Sequence, residues 1–221
     1  MAKTTHLASS AFGDQSESVF DWVRVHSRQV TIGVIAVAAV GLGTWLWRSA
    51  ANKKELNASR ALAEAQVAFG SGNMALAQSD LQRLVQRYGG TSAAIQGRIL
   101  LAQVYFAQNK AADGLKVLDE AGEGGAFASS LHAVRAAGLE QAGKPLEAAM
   151  EYLRASQAAI SAADKASYKA DAARAYQAGG KPEEAVKIWE ELAADETGPL
   201  SGEARVRLGE LTAKAVQQVA K

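Results

Sequence analysis

The most prominent hydrophobic feature of the chain is one apolar run from Val30 to Trp47, in which only Thr31 and Thr44 are polar. Arg28 and Arg48 bound this run. Its 18 residues, at about 1.5 Å each in a helix, span roughly 27 Å, close to the thickness of the hydrocarbon core of a bilayer. The run ends in bulky Trp-Leu-Trp and follows a long polar tail that contains acidic residues, unlike a cleaved signal peptide. The pattern therefore predicts a retained transmembrane helix over residues 29–48, with a buried core helix as the alternative.

The charges that flank this helix do not decide its orientation. Arg24 and Arg28 precede it closely, whereas Arg48, Lys53 and Lys54 follow it, a distribution that favours keeping the large C-terminal part in the cytoplasm. The positive-inside rule applies to short loops, however, and long domains cross membranes largely regardless of charge. The side of the membrane therefore stays open.

After the apolar run, segments with helical periodicity alternate with short turn dipeptides. The dipeptides are spaced by 37, 34 and 37 residues and are Gly72-Asn73, Asn109-Lys110, Gly143-Lys144 and Gly180-Lys181. Glycine relieves the left-handed backbone at a helix C-terminus, and proline follows two of the turns, where the first residues of a helix need no donor. Each dipeptide therefore predicts the turn of one helical hairpin.

Small and large side chains recur in register when the segments are aligned on those turns. The columns are Ala65/Ala102/Ala136/Ala173, Ala77/Gly114/Ala148/Ala185 and Leu81/Leu118/Tyr152/Trp189. Stacked helical hairpins require small residues where two helices cross, and a period near 34 residues is that of the tetratricopeptide repeat (TPR). The predicted fold is all-α: the transmembrane helix, then a right-handed TPR-like α-solenoid of three to four degenerate hairpins over residues 49–221. A capping helix from about Ser201 to Val219 is expected to end it.

Composition and charge argue against several other functions. The 24 basic and 23 acidic side chains nearly cancel, whereas a nucleic-acid binder needs a basic face. The absence of cysteine excludes disulfides, thiol nucleophiles and cysteine zinc sites. Gly138 to Lys144 matches the start of a phosphate-binding loop, but Pro145 stands where a magnesium-binding hydroxyl is required. His6, His26 and His132 form no zinc motif, so no enzyme, cofactor, metal or small-molecule substrate is predicted.

The remaining candidate site is the concave face that the first helix of each hairpin lines in a TPR stack. The repeat register predicts a protein-binding groove formed by Gln66, Phe69, Gln103, Phe106, Glu140, Arg174 and Gln177. The same register adds Leu62, Ile99 and Ala137, and for every member packing between hairpins is the alternative role. The Lys and Asn pattern that clamps a C-terminal carboxylate is absent, so the face suits a folded partner or an unfolded segment.

Two segments, Leu101 to Ala121 and Ala170 to Leu192, resemble TPR units with their recurring alanine, tyrosine and large apolar positions. The whole layout is a short polar N-terminus, one anchor ending in Trp and a degenerate TPR domain. From about residue 15 to 215 it resembles the ancillary subunit of the bacterial SecYEG translocon. The TPR domain of the cell-division coordinator proteins is similar in fold.

The resemblance to the translocon subunit implies a single-pass protein of the bacterial inner membrane. It places residues 1–28 in the cytoplasm and the repeat domain in the periplasm. The partners that it implies are the Sec translocon, a membrane-anchored periplasmic chaperone of prolyl-isomerase type and client polypeptides. The expected function is a membrane-anchored protein–protein interaction module that assists secreted and envelope proteins. The alternative is an envelope scaffold that coordinates cell division or cell-wall synthesis.

Overall fold

Helices form all the regular structure in the described part of the chain, which is residues 24–219 of a computed structural model. They are α1 (Ser27–Gly70), α2 (Met74–Arg87), α3 (Ser92–Ala107), α4 (Ala111–Asp119), α5 (Ala128–Gln141), α6 (Pro145–Ala158), α7 (Ala162–Ala178), α8 (Pro182–Ala194) and α9 (Ser201–Val219). A 3-10 turn, Gly125–Phe127, lies between α4 and α5. The all-α prediction is confirmed for these residues. Most of the predicted N-terminal tail, residues 1–23, lies outside the described part.

Two compact units divide the chain, residues 1–53 and 54–221. In the first unit, α1 contains a stretch that is long and apolar enough to cross a membrane, and none of that stretch is buried. Ile35, for example, is 61% exposed. A core helix would be mostly buried, so that alternative is wrong for this stretch. Membrane insertion itself stays a prediction.

The second unit uses the same turn geometry four times. The turn residue has a left-handed backbone in every case, with φ of 77° at Gly72, 60° at Asn109, 73° at Gly143 and 73° at Gly180. The next residue donates its N–H to the carbonyl five residues earlier, at 2.9–3.0 Å: Asn73 to Ala68, Lys110 to Tyr105, Lys144 to Leu139 and Lys181 to Tyr176. This closure satisfies a carbonyl that the helix end would otherwise leave unpaired. The four predicted turns are confirmed, and they make four hairpins.

The predicted columns of small and large residues form the inside of these hairpins. The first-helix alanines are completely buried, as are the alanines of the second-helix column, and all four large residues are at most 8% exposed. A side chain no larger than a methyl group lets two helix backbones approach closely, and the large residue fills the space beside it. The repeat register deduced from the sequence is therefore the packing register of the fold.

The last helix covers the open end of the stack. Ala204 and Leu211 of α9 are buried in one apolar cluster with Trp189 of α8, which is itself completely buried. Terminal repeats need such a cover because their outer face has no following hairpin. The described part of α9 packs as the predicted capping helix.

The linker between the second and third hairpins contains several glycines, and an arginine of α5 contacts the end of the helix before it. Gly122 and Gly124 have left-handed backbones, with φ of 63° and 74°. Arg135 of α5 reaches back across this linker and donates from Nη2 to the carbonyl oxygen of Leu118 at 3.1 Å. Its guanidinium also lies 3.5 Å from the carboxylate of Asp119. The arginine thus supplies a polar contact at the end of the short α4.

Candidate protein-binding groove

A groove of about 400 Å³ runs across the first helices of the hairpins. Helices α1, α3, α5 and α7 each contribute side chains to it, and the 3-10 turn contributes Phe127. The lining consists of Gln66, Phe69, Gln96, Ile99, Leu100, Gln103, Phe127, Ser130, Ala133, Val134 and Tyr168. None of these side chains carries a charge.

Glutamines on α1 and α3 are the principal polar groups of the groove. Gln96 and Gln103 are seven residues apart on α3, which is two helical turns and about 10 Å along the axis, so both point to the same face. Gln66 of α1 adds a third amide. Each amide offers two donors and one acceptor oxygen. The set can therefore bind peptide groups, whose donors and acceptors are the same in every sequence.

Three of the seven predicted binding residues line this groove: Gln66, Phe69 and Gln103. Ile99, which the register also placed there, lines it as well although it is only 8% exposed. Leu62 does not, because it is buried in the apolar core that α1 forms with α2 and α3. The placement of Leu62 on the binding face was wrong, since its side chain is 6% exposed and packs in this core.

Phe106 lies in the packing between hairpins. Its half-buried ring contacts the cluster of Ile99, Ala102, Leu118 and Leu131. A Cβ on Gly114 would come within 2.3 Å of its Cε1. The ring therefore uses the space that glycine leaves free on α4, and it is not among the side chains that line the groove.

Glu140 and Arg174 belong to a charged cluster beside Tyr152. The hydroxyl of Tyr152 donates to Oε2 of Glu140 at 2.9 Å, while Arg174 pairs with Asp171 at 2.6 Å and with Glu203 at 2.9 Å. Burial, the hydrogen bond to Glu140 and the negative charge of that carboxylate all raise the pKa of Tyr152. The phenol therefore stays protonated and holds Glu140 in place.

The remaining predicted residue, Gln177, is exposed on α7, one turn beyond Arg174. It makes no side-chain hydrogen bond to another described residue. The seven predicted residues thus separate into an uncharged group in the groove, a charged group around Tyr152, and Phe106 and Gln177.

Several groove residues were missed at the sequence level. Gln96 lies seven residues before Gln103, so extending the register by two helical turns along α3 would have found it. Tyr168 lies six residues before Arg174, which is not a spacing of one helix face, so the register of α7 did not point to it. Phe127 carried no such signal, because it lies in the irregular linker before α5. Its position depends on how the linker folds against the hairpins.

A second polar cluster lies inside the fold, between α5 and α6. Glu151 is only 7% exposed, and its carboxylate lies 2.6 Å from Nδ1 of His132, 2.5 Å from Arg154 and 3.7 Å from Arg135. The three basic partners offset the cost of burying the carboxylate. Among the described residues, no group of three or more His, Cys, Asp or Glu side chains could hold a metal ion.

Comparison with known proteins agrees with this repeat geometry. The sequence profile of the tetratricopeptide repeat-like domain matches residues 21–211. The chain belongs to this family. The hairpins and turns of the described residues are thus those of a TPR-like protein. Proteins of this class generally serve as non-catalytic modules for protein–protein interaction.

Two solved structures share the fold of this TPR-like protein. Both are crystal structures of nearly identical TPR-like repeats from a kinesin light chain of Podosopora anserina, one of them carrying a single substitution. They have TM-scores of 0.59 and sequence identities of 16% and 15%, and each comparison covers 73% of this chain and 88% of the other. At this identity the likeness concerns the fold alone. No curated protein matches the sequence of this chain.

Proposed function

We propose that this TPR-like protein is anchored in the bacterial inner membrane by α1 and binds polypeptide segments in its uncharged groove. The observation that carries the proposal is the combination of an unburied, membrane-length apolar stretch with a groove lined by glutamines and apolar side chains. An anchor holds the groove next to proteins of the same membrane, so even weak binding acts at high effective concentration.

The groove chemistry suits uncharged polypeptide better than a charged tail. Burying an unpaired charge costs far more than burying an apolar side chain, and the groove supplies no opposite charge to offset that cost. Phe69 and Ile99 provide apolar contact, while the three glutamine amides pair with peptide groups. A segment that is extended and apolar, as in a chain that has not yet folded, meets both requirements.

Sec translocation is the setting in which we place this activity. The resemblance in layout to the ancillary translocon subunit supports a cytoplasmic N-terminus, a periplasmic repeat domain, and partnership with the translocon and a membrane-anchored chaperone. Client polypeptides would be secreted or envelope proteins as they emerge. Protease treatment of spheroplasts tests the topology: degradation of the repeat domain in spheroplasts, with protection in intact cells, is expected. Protection in spheroplasts would contradict it.

Crosslinking from the groove tests the partners. Because the chain has no cysteine, Gln103→Cys introduces a single attachment point for a photo-crosslinker in the full-length protein. In native membranes, we expect adducts with translocon components, the chaperone and client segments. Lys116→Cys, on the exposed surface of α4, is the matched control and should yield few. Equal adducts from both positions, or none with translocon or chaperone, would count against the proposal.

Charge in the groove provides a second, chemical test. Gln103→Glu keeps the shape of the side chain but introduces an unpaired carboxylate. With the crosslinker attached at Ser130→Cys of the same groove instead, this change should lower crosslinking of uncharged segments roughly tenfold if the charge costs about 1.4 kcal/mol. Gln86→Glu makes the same change on the exposed face of α2 and should have no effect.

An even distribution around the membrane is expected for the protein, whereas a mid-cell band would favour the alternative of a scaffold for cell division or wall synthesis.

A further inference from the structure

A basic cleft of about 340 Å³ lies on the first hairpin of the repeat unit, outside the groove. Asn57 and Arg60 of α1 line one side, and Arg83 and Arg87 of α2 line the other, with Tyr88 at the end of α2. The only large apolar side chain in the lining is Leu84, which is 1% exposed. Charged and polar side chains therefore make up most of the lining of the cleft.

Two of the three arginines in this cleft are available for a ligand. Arg60 and Arg87 are exposed, and neither forms an ion pair with any residue in the described part of the chain. The guanidinium of Arg87 lies 5.5 Å from the ring centroid of Tyr88, and Arg83 pairs with Asp80. Glu64 is the other acid in the lining, so the cleft has one more positive charge than negative.

The sequence of the first hairpin also contains more basic than acidic side chains, unlike the rest of the repeat domain. Residues 48–88 contain six basic and three acidic side chains, whereas residues 89–221 contain fifteen basic and seventeen acidic ones. One of the three acids, Glu55, is already used, because its carboxylate accepts the backbone N–H groups of Ser92 and Ala93 at 2.9 Å. The first hairpin is therefore the basic part of a repeat unit that is otherwise slightly acidic.

We propose that this cleft docks on the phosphate headgroups of anionic membrane lipids. One guanidinium group can donate to two oxygens of a phosphate at once. Each basic side chain near a membrane surface contributes about 1 kcal/mol of binding free energy to anionic lipid. The inference rests on the proposed anchor, because the anchor brings the lipid within range. Asn57 follows Trp47 by ten positions in the sequence, and ten residues reach at most about 35 Å.

The partner is lipid and not a nucleic acid or a free anion for two reasons. The cleft is small, at about 340 Å³, whereas a nucleic acid neutralises a long basic face. A soluble anion must be captured from solution by two exposed arginines, whereas tethered lipid headgroups are present at high effective concentration. The consequence of docking is that the first hairpin is held against the membrane surface.

Proximity of the first hairpin to lipid tests this proposal in the full-length protein. A fluorophore on Gln86→Cys, which is exposed beside Arg87, reports on quenching by headgroup spin-labelled lipid in vesicles. We expect stronger quenching in phosphatidylcholine–phosphatidylglycerol vesicles than in phosphatidylcholine alone. Arg60→Gln and Arg87→Gln should each lower the ratio of docked to undocked protein about fivefold. Salt should weaken the quenching.

Arg205→Gln is the matched control, since Arg205 is exposed on α9 and has no ion pair among the described residues; it should leave quenching unchanged. Quenching that does not depend on lipid charge would overturn the proposal, as would quenching that Arg205→Gln lowers as much as Arg60→Gln and Arg87→Gln do. So would displacement by inorganic phosphate at matched ionic strength, which would indicate a site for the free anion. Flotation with vesicles separates the two claims: wild-type protein that floats but is not quenched refutes the docking alone, and a chain that does not float refutes the anchor.

Discussion

The ring of Phe106 occupies the space beside Gly138: a Cβ on that glycine would lie 2.3 Å from Cζ of the ring. Gly114 stands in the same relation to the ring, with its ideal Cβ 2.3 Å from Cε1. One aromatic side chain of α3 thus fits between a glycine of α4 and a glycine of α5. A Cβ at either glycine would therefore clash with the same ring.

Gly138→Ala should therefore destabilise the repeat unit. The added methyl group overpacks the contact by about 1–3 kcal/mol, more than the gain in helix propensity of up to about 1 kcal/mol. Gly209→Ala in α9 is the control, because no atom lies within 4 Å of its ideal Cβ, and it should be neutral or stabilising. Chemical denaturation measures both, and Phe106→Leu should restore part of the stability lost in the Gly138→Ala background. An unchanged free energy of unfolding for Gly138→Ala would contradict this packing.

Glu151→Gln should cost about 3–5 kcal/mol of unfolding free energy. The change removes the carboxylate that pairs with Arg154, Arg135 and His132, and it leaves the largely buried Arg135 without its nearest α6 partner. Glu147→Gln on the same helix is the control, since its partner Lys144 is about half exposed, and exposed pairs contribute at most about 1 kcal/mol. Equal effects in thermal denaturation of the two variants would show that the buried cluster does not stabilise the fold.

Glu55→Ala should loosen the contact between the first two hairpins. The carboxylate of Glu55 accepts two N–H groups at the start of α3, where the helix dipole favours negative charge. By analogy with a helix cap, its loss should cost about 0.5–2 kcal/mol. Glu64→Ala, on an exposed position of the same helix, should cost little. Hydrogen exchange of the amides of Ser92 and Ala93 should accelerate in the first variant alone; unchanged protection there would argue against the cap.

Tyr152 should make the fold lose stability in alkali. Its pKa is raised in the folded protein, by burial first and then by Glu140, so the folded state keeps the phenolic proton above the ordinary tyrosine pKa of about 10 while the unfolded state releases it. The folded state then binds more protons, and the free energy of unfolding falls as the pH rises above that value. Tyr152→Phe should remove this component from stability measured across alkaline pH. A wild-type slope that persists in the variant would assign the loss to other groups.

Much of the architecture could be predicted because local rules decide it. A left-handed residue ends a helix wherever the chain offers Gly72, Asn109, Gly143 or Gly180, and this preference depends on the backbone of that residue alone. The alanine columns could also be predicted from the sequence, since stacked helical hairpins need a small residue wherever two helices cross, and this position recurs in every repeat. Sequence by itself therefore determined the turns of the hairpins and the register of their core, and left the number of hairpins at three or four.

The tertiary structure decided which of the positions predicted for the groove lie on the surface and which pack between helices. Phe106 and Gln103 lie three residues apart on α3 and both fitted the groove register, yet Phe106 packs between two glycines and Gln103 lines the groove. The buried carboxylate of Glu151 and the cleft of Arg60 and Arg87 were likewise invisible in the sequence. Each depends on side chains from neighbouring helices converging at one point, and the distance between helices is set by packing across the whole hairpin, which no local pattern records.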